Sequence, residues 1–152
     1  MLRILFSTNG AWYSRLIRWF TWSEFSHVDI FLDDDTVFGC LPEGAVRQPL
    51  SEVLAASTKA VEARVTIMDP ETTQNIIKTA LTQEGKPYDW GALFGFLFRR
   101  DWMENGDKWF CSELVARSCA FHDIRLVRDD SWRVTPGMLW RSPLVQPLKT
   151  LV

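Results

Sequence analysis

Apolar and polar positions alternate along Ser26-His27-Val28-Asp29-Ile30-Phe31-Leu32, which marks a strand, because side chains two residues apart share a face. Asp33-Asp34-Asp35 interrupts the pattern with a tight turn, and Thr36-Val37-Phe38-Gly39-Cys40 returns as the hairpin partner. Ahead of the hairpin, the opening residues to Phe6 read as a buried strand. Ser7-Thr8-Asn9-Gly10 reads as a turn, and Ala11 to about Trp22 as a helix. Behind it, Leu41-Pro42-Glu43-Gly44 is a loop, Ala45 to Gln48 a short strand and Leu50 to Ala56 a short helix. Ala60 to Met68 is rich in strand formers, with Val61, Ala63, Val65 and Ile67 on one face. Asp69-Pro70-Glu71 combines an N-cap, a first-position proline and a first-turn acid. The helix it opens should run to about Glu84, burying Ile76, Ile77, Ala80 and Leu81, and stop at Gly85. Trp90 to Phe98, with Asp89 as N-cap, is apolar all round and reads as a buried helix, the wall of a greasy pocket being the alternative. A polar loop over Arg99 to Asp107 follows, then a helix from Cys111 to about His122. A helical turn over Thr135 to Trp140 and an edge strand over Leu144 to Leu148 close the chain. Strands and helices mixed in this way predict one α+β domain over residues 1–152.

Composition narrows the partners. The 47% apolar content and eight tryptophans supply a core and argue against disorder. A net charge of −2 without a basic block makes nucleic acid an unsuited main partner. Three cysteines and no signal-like opening point to a reducing compartment with free thiols. The expected location is therefore the cytoplasm, or outside it by a route without a signal peptide, such as phage or secretion-system delivery. Cys111 and Cys119 lie two helical turns apart, roughly 12 Å by helical rise, too far for a disulfide within the helix. No apolar run is long enough to span a bilayer. Arg15 and Arg18 among Trp12, Tyr13, Leu16, Ile17, Trp19 and Phe20 leave two readings of the first helix. We expect a core-packing amphipathic helix with arginine stems on its rim; an interfacial membrane helix is the other.

The chemistry centres on Trp109-Phe110-Cys111-Ser112-Glu113-Leu114-Val115-Ala116. Phe110, Leu114, Val115 and Ala116 recur at helical spacing, so Cys111 falls at or just inside a helix N-terminus. Unpaired backbone N–H groups gather there and the helix dipole favours a thiolate. A buried structural cysteine is the competing reading. Of the two histidines, His122 lies eleven residues further along the same helix and cannot reach the sulfur. His27 remains as the candidate base, able to draw the thiol proton and return it to a leaving group. Neither a Cys-x-x-Cys nor a His-x-x-x-His spacing supports a zinc site, and we expect no metal and no cofactor.

Phe25-Ser26-His27-Val28 before a hairpin, then Gly85-Lys86-Pro87-Tyr88-Asp89, then Phe110-Cys111-Ser112-Glu113-Leu114-Val115, in that order, resembles the permuted papain-like amidases. These are circularly permuted relatives of the NlpC-type cell-wall cysteine peptidases and of lecithin:retinol acyltransferase. The resemblance covers about residues 1 to 120 and implies a permuted papain-like fold, an antiparallel sheet packed on the helix that bears the cysteine. It implies Cys111 as nucleophile, His27 as base and the Cys111 backbone N–H as an oxyanion donor. Tyr88 would lie near the substrate, and Ser26 and Trp109 are the other substrate-side candidates.

The chain departs from the family at the third catalytic group, a polar residue about twelve positions after the histidine. That position is Gly39. A hairpin of this length sets Asp29 roughly opposite Gly39, with Cα atoms about 5 Å apart, so its carboxylate can fill the vacated space. Glu43 in the following loop is the alternative orienter, and Asp29 as a solvated strand residue is the structural one. Glu113, in the first turn of the cysteine helix, reads as structural. Three functions follow from the resemblance and its departure. The leading one is cysteine-dependent hydrolysis of an amide bond, in a cell-wall peptide or another N-acyl substrate, through a thioester acyl-enzyme. The second is lipid acyl transfer, deacylation or thioester hydrolysis. The third is a binding module that lost its third catalytic residue. The substrate would be a small molecule, a peptide or a lipid-like acyl compound, with membrane-surface contact a minor reading.

Overall fold

The computed structural model describes residues 1–41, 43–66, 69–86, 111–128 and 134–152. Six strands make one antiparallel sheet in the order β4-β3-β2-β1-β5-β6. They are β1 (Leu2–Asn9), β2 (His27–Phe31), β3 (Thr36–Leu41), β4 (Gly44–Pro49), β5 (Ser57–Val65) and β6 (Val145–Thr150). The helices are α1 (Trp12–Thr21), α2 (Leu50–Ala56), α3 (Pro70–Leu81), α4 (Cys111–Ala120) and α5 (Pro136–Trp140). The expected α+β architecture is the one observed.

Alternation along the strands divides the core in two. Leu2, Ile4 and Phe6 of β1, Val28 and Ile30 of β2 and Phe38 and Cys40 of β3 join Ile76 and Ala80 of α3 and Leu114 and Val115 of α4 in the main cluster. Leu5, Phe31 and Val37, at the intervening positions, pack with Leu50, Val53 and Leu54 of α2 in a smaller one. Apolar side chains buried this fully contribute about 1.5–3 kcal/mol each. Helix α4 packs on β2, β3, α3 and α5. Such all-round cover explains why Cys111 to Ala116, Ser118 and Cys119 are all buried.

Local signals set several boundaries. The Asp69 carboxylate accepts from the Thr72 N–H at 2.8 Å and Pro70 opens α3, as the N-cap pattern requires. Helix α3 ends at Leu81 and not near Glu84, because residues 82–85 form a turn that brings Gly85, at φ 84°, beside β4. There the Gly85 N–H donates to the Ala45 carbonyl and the Ala45 N–H to the Lys86 carbonyl, each at 2.8 Å. Those bonds cover part of an otherwise open sheet edge.

One further expectation fails outright and another holds only in part. Ser7-Thr8-Asn9 is strand and not turn, because tertiary partners satisfy it. Ser7 to Asn9 pair with Ala60 to Ser57 of β5, with an irregularity between Thr8 and Asn9, and the buried Thr8 hydroxyl finds Ser14 and Ser26. Helix α1 packs inward through Ser14 and Ile17, but Trp19 is 72% and Trp22 86% exposed, so these two aromatics belong to the surface. The Asp89 N-cap, the Trp90 to Phe98 helix, the Arg99 to Asp107 loop, Tyr88 and Trp109 lie outside the described residues.

Candidate active site

The site is built where β2 begins. Phe25, fully buried, wedges between Phe6 and Trp140, with ring centroids 5.4 and 4.8 Å away. An aromatic anchor of this kind costs about 3–5 kcal/mol to truncate. Next along the chain, Ser26 is held on both sides. Its N–H donates to the Ser7 carbonyl at 3.1 Å, and its hydroxyl lies 2.5 Å from Ser14 Oγ and 3.2 Å from Thr8 Oγ1. The substrate-side candidate Ser26 therefore spends its side chain inside the fold. Its carbonyl does the facing, with the Cys111 thiol directed at it from 4.0 Å. No motif signals the Thr8–Ser14–Ser26 network, since its members come from β1, α1 and the turn before β2.

His27 follows, and its Nε2–H donates to Asp29 Oδ1 at 2.8 Å. Residues two apart on a strand share a face, so the bond needs no backbone distortion. Asp29 is fully buried, whereas the His27 side chain keeps 20% of its surface open to solvent. Burial works against the imidazolium. The Asp29 carboxylate, together with Cys111 as a charge and hydrogen-bond partner, outweighs it and raises the histidine well above 6.5. Asp29 Oδ2 is buried without a partner among the described residues.

Gly39 explains how an acid fits there. The register Ile30↔Phe38, carried one residue on, sets Asp29 opposite Gly39. A Cβ at position 39 would stand 1.8 Å from Asp29 Oδ1 and 3.4 Å from His27 Nε2. Any other residue would expel the carboxylate. Glu43, the other candidate orienter, sits exposed in the β3–β4 turn.

Cys111 opens α4 and is buried. Its helix start presents backbone N–H groups without intrahelical partners. Cys40 and Cys119 are buried free thiols too. Burial, with the charges of Cys111, Asp29 and Glu113, pushes Cys40 far up, and burial alone pushes Cys119 up to about 12. Glu113 is buried and pairs with Arg117 one turn on, at 3.3 Å. His122 lies past the far end of α4, bonded through Nε2 to the Thr79 hydroxyl at 2.8 Å. Among the described residues no group of three or more His, Cys, Asp or Glu side chains could hold a metal ion.

This arrangement has known relatives. A family model for the permuted papain-like amidase enzymes of the YaeF/YiiX type, family C92, matches residues 3–132. The crystal structure of metalloprotein YiiX from Escherichia coli O157:H7 superposes with a TM-score of 0.74 at 20% identity, covering 97% of this chain and 94% of that one. At that identity the likeness shows a shared fold. No curated protein matches the chain.

Proposed function

The chain belongs to the permuted papain-like amidase family, and on that premise we propose that it is a cysteine-dependent hydrolase cleaving an amide bond through a thioester acyl-enzyme. The supporting observation is the His27–Asp29 bond, buried on the carboxylate side and open on the imidazole side, next to a thiol at a helix start. With Nε2 committed to Asp29, Nδ1 is the ring nitrogen left to take the thiol proton. The thiolate attacks the amide carbon, and the oxyanion formed accepts from the Cys111 N–H. Imidazolium then gives its proton to the departing amine, leaving a thioester on Cys111. Water, deprotonated by His27, attacks that thioester and releases the acid and the free thiol. Asp29 acts throughout as a positioning residue, holding the tautomer and the ring.

The proposed substrates are cell-wall peptides or other N-acyl compounds. Gly39 is the reason to consider a binding module, and an Asp29 carboxylate in that space supports the catalytic reading over it. Mass spectrometry after incubation with acylated chromogenic amides, peptidyl and fatty-acyl, tests the reading. We expect an acyl adduct on Cys111 with one class preferred. Adducts spread over the three cysteines, or none with any amide, would overturn it.

A further inference from the structure

We propose that the edge formed by the outer face of α1 and the groove beside α5 docks the protein on an anionic lipid bilayer. Arg15, Trp19 and Trp22 are spaced i, i+4, i+7 and form one stripe, opposite the buried Ser14 and Ile17. All three are exposed, Trp19 at 72% and Trp22 at 86%. Large aromatics so open to water are costly in an isolated soluble domain and suit the headgroup layer, where the ring is half apolar and the indole N–H is wet. The stripe has a firm base. Trp22 ends α1 in the left-handed conformation at φ 52°, and the Arg141 guanidinium donates to its carbonyl at 3.1 Å.

That arginine joins the stripe to a second feature. Arg141 also lines a groove of about 610 Å³ with Arg125, Arg128, Met138 and Leu144, over a floor that includes the buried Leu126. Three guanidinium groups stand around apolar walls, and no carboxylate is among the described lining residues. Glu24, the first acid in the chain after α1, is paired with Lys59. Exposed tryptophans flanked by arginines match the two demands of an anionic membrane surface, interfacial aromatics and cationic contact to headgroups. Nothing in this inference uses the chemistry at Cys111.

Flotation with vesicles of phosphatidylcholine, alone or with phosphatidylglycerol, tests it on the full chain. We expect binding to the anionic vesicles only, weakened by salt as the Debye length shrinks. Each basic side chain near such a surface strengthens partition about fivefold, so Arg125→Gln with Arg128→Gln and Arg141→Gln should cost on the order of 100-fold. Trp19→Ser with Trp22→Ser should weaken binding in both low and high salt. Circular dichroism guards against misfolding, and the Arg125→Gln/Arg128→Gln pair, which leaves the Arg141–Trp22 contact alone, should lose affinity by itself. Cys111→Ser should float like the parent, which separates failure here from failure of the proposed catalysis. Equal binding to neutral vesicles, no flotation at all, or variants that float like the parent would overturn the proposal. So would a dimer dissolved by the tryptophan substitutions, since the stripe would then face a second copy.

Discussion

The two ends of α4 each bring together a cysteine and a histidine, yet only one pair has the surroundings of a reactive site. At the start, Cys111 opens the helix, faces the Ser26 carbonyl and neighbours a His27 bonded to a buried carboxylate. At the finish, Cys119 lies in apolar packing that pushes its thiol up to about 12, and His122 Nε2 meets the Thr79 hydroxyl and, among the described residues, no carboxylate. The macrodipole deepens the contrast, favouring an anion at the first end and opposing one at the second. Residue type therefore says little by itself. In the mechanism proposed, what decides is which end of the helix a sulfur occupies and what stands behind the imidazole.

The strongest test removes both pairs separately. Cys111→Ala and His27→Ala should abolish amide turnover, a loss of at least about 10⁴-fold. Cys119→Ser and His122→Ala should keep it within a fewfold of the parent. Steady-state rates on the preferred chromogenic amide, with circular dichroism as the folding control, decide the matter. Turnover lost equally at both ends would erase the comparison.

A finer break targets the support behind His27. Asp29→Asn should lower kcat by on the order of 10²–10⁴-fold with little change in KM, because orientation is lost in the transition state. Gly39→Ala should reproduce that phenotype without touching a polar atom, since its Cβ claims the place of Asp29 Oδ1. Glu43→Gln, exposed in its turn, should leave kcat unchanged. If Gly39→Ala were silent while Asp29→Asn was not, the packing explanation would be wrong even though the carboxylate mattered.

Much of this was readable from local order. The Asp69-Pro70 cap, the Thr135 cap and the bounds of α2 are written in neighbouring residues, so short-range chemistry suffices. The facing of Asp29 and Gly39 was readable as well, because the three-aspartate turn sets the hairpin register. Ser7 to Asn9 misled because turn formers become strand when distant hydroxyls and β5 satisfy them. The Thr8–Ser14–Ser26 network escaped for the same reason: its contacts join residues that no periodicity connects. Trp19 and Trp22 show a different limit. A helical period reveals that one stripe exists but not which side of it meets the core.

Alkylation offers a smaller, direct comparison of the sulfurs. At neutral pH, a thiol pushed to about 12, as Cys119 is, should react on the order of 10³-fold more slowly than a free thiol. Cys40, pushed higher still by burial, should be slower. Iodoacetamide followed by peptide mapping should therefore find Cys111 modified first and alone at early times. Comparable early labelling of Cys119 would show that its burial opens more readily than the packing indicates.

The smallest expected effect lies in stability, and its sign follows from His27. Burial lowers the tendency of this imidazole to be charged, but Asp29 and Cys111 overcome it, so the folded value lies well above 6.5 while the unfolded chain sits near that number. The folded state thus binds the proton more tightly. The resulting stabilisation is fully present below about pH 6.5 and fades as pH rises through the raised folded value. Urea midpoints measured across that span should fall with pH in the parent protein. His27→Gln, which cannot titrate, should remove this part of the slope, and Asp29→Asn should move the decline to lower pH by withdrawing the first of the two charges that favour the imidazolium. A parent whose midpoint rises over the same span would mean that desolvation wins at His27. The histidine would then sit neutral in the folded protein, and the carboxylate behind it would act through geometry and not through charge.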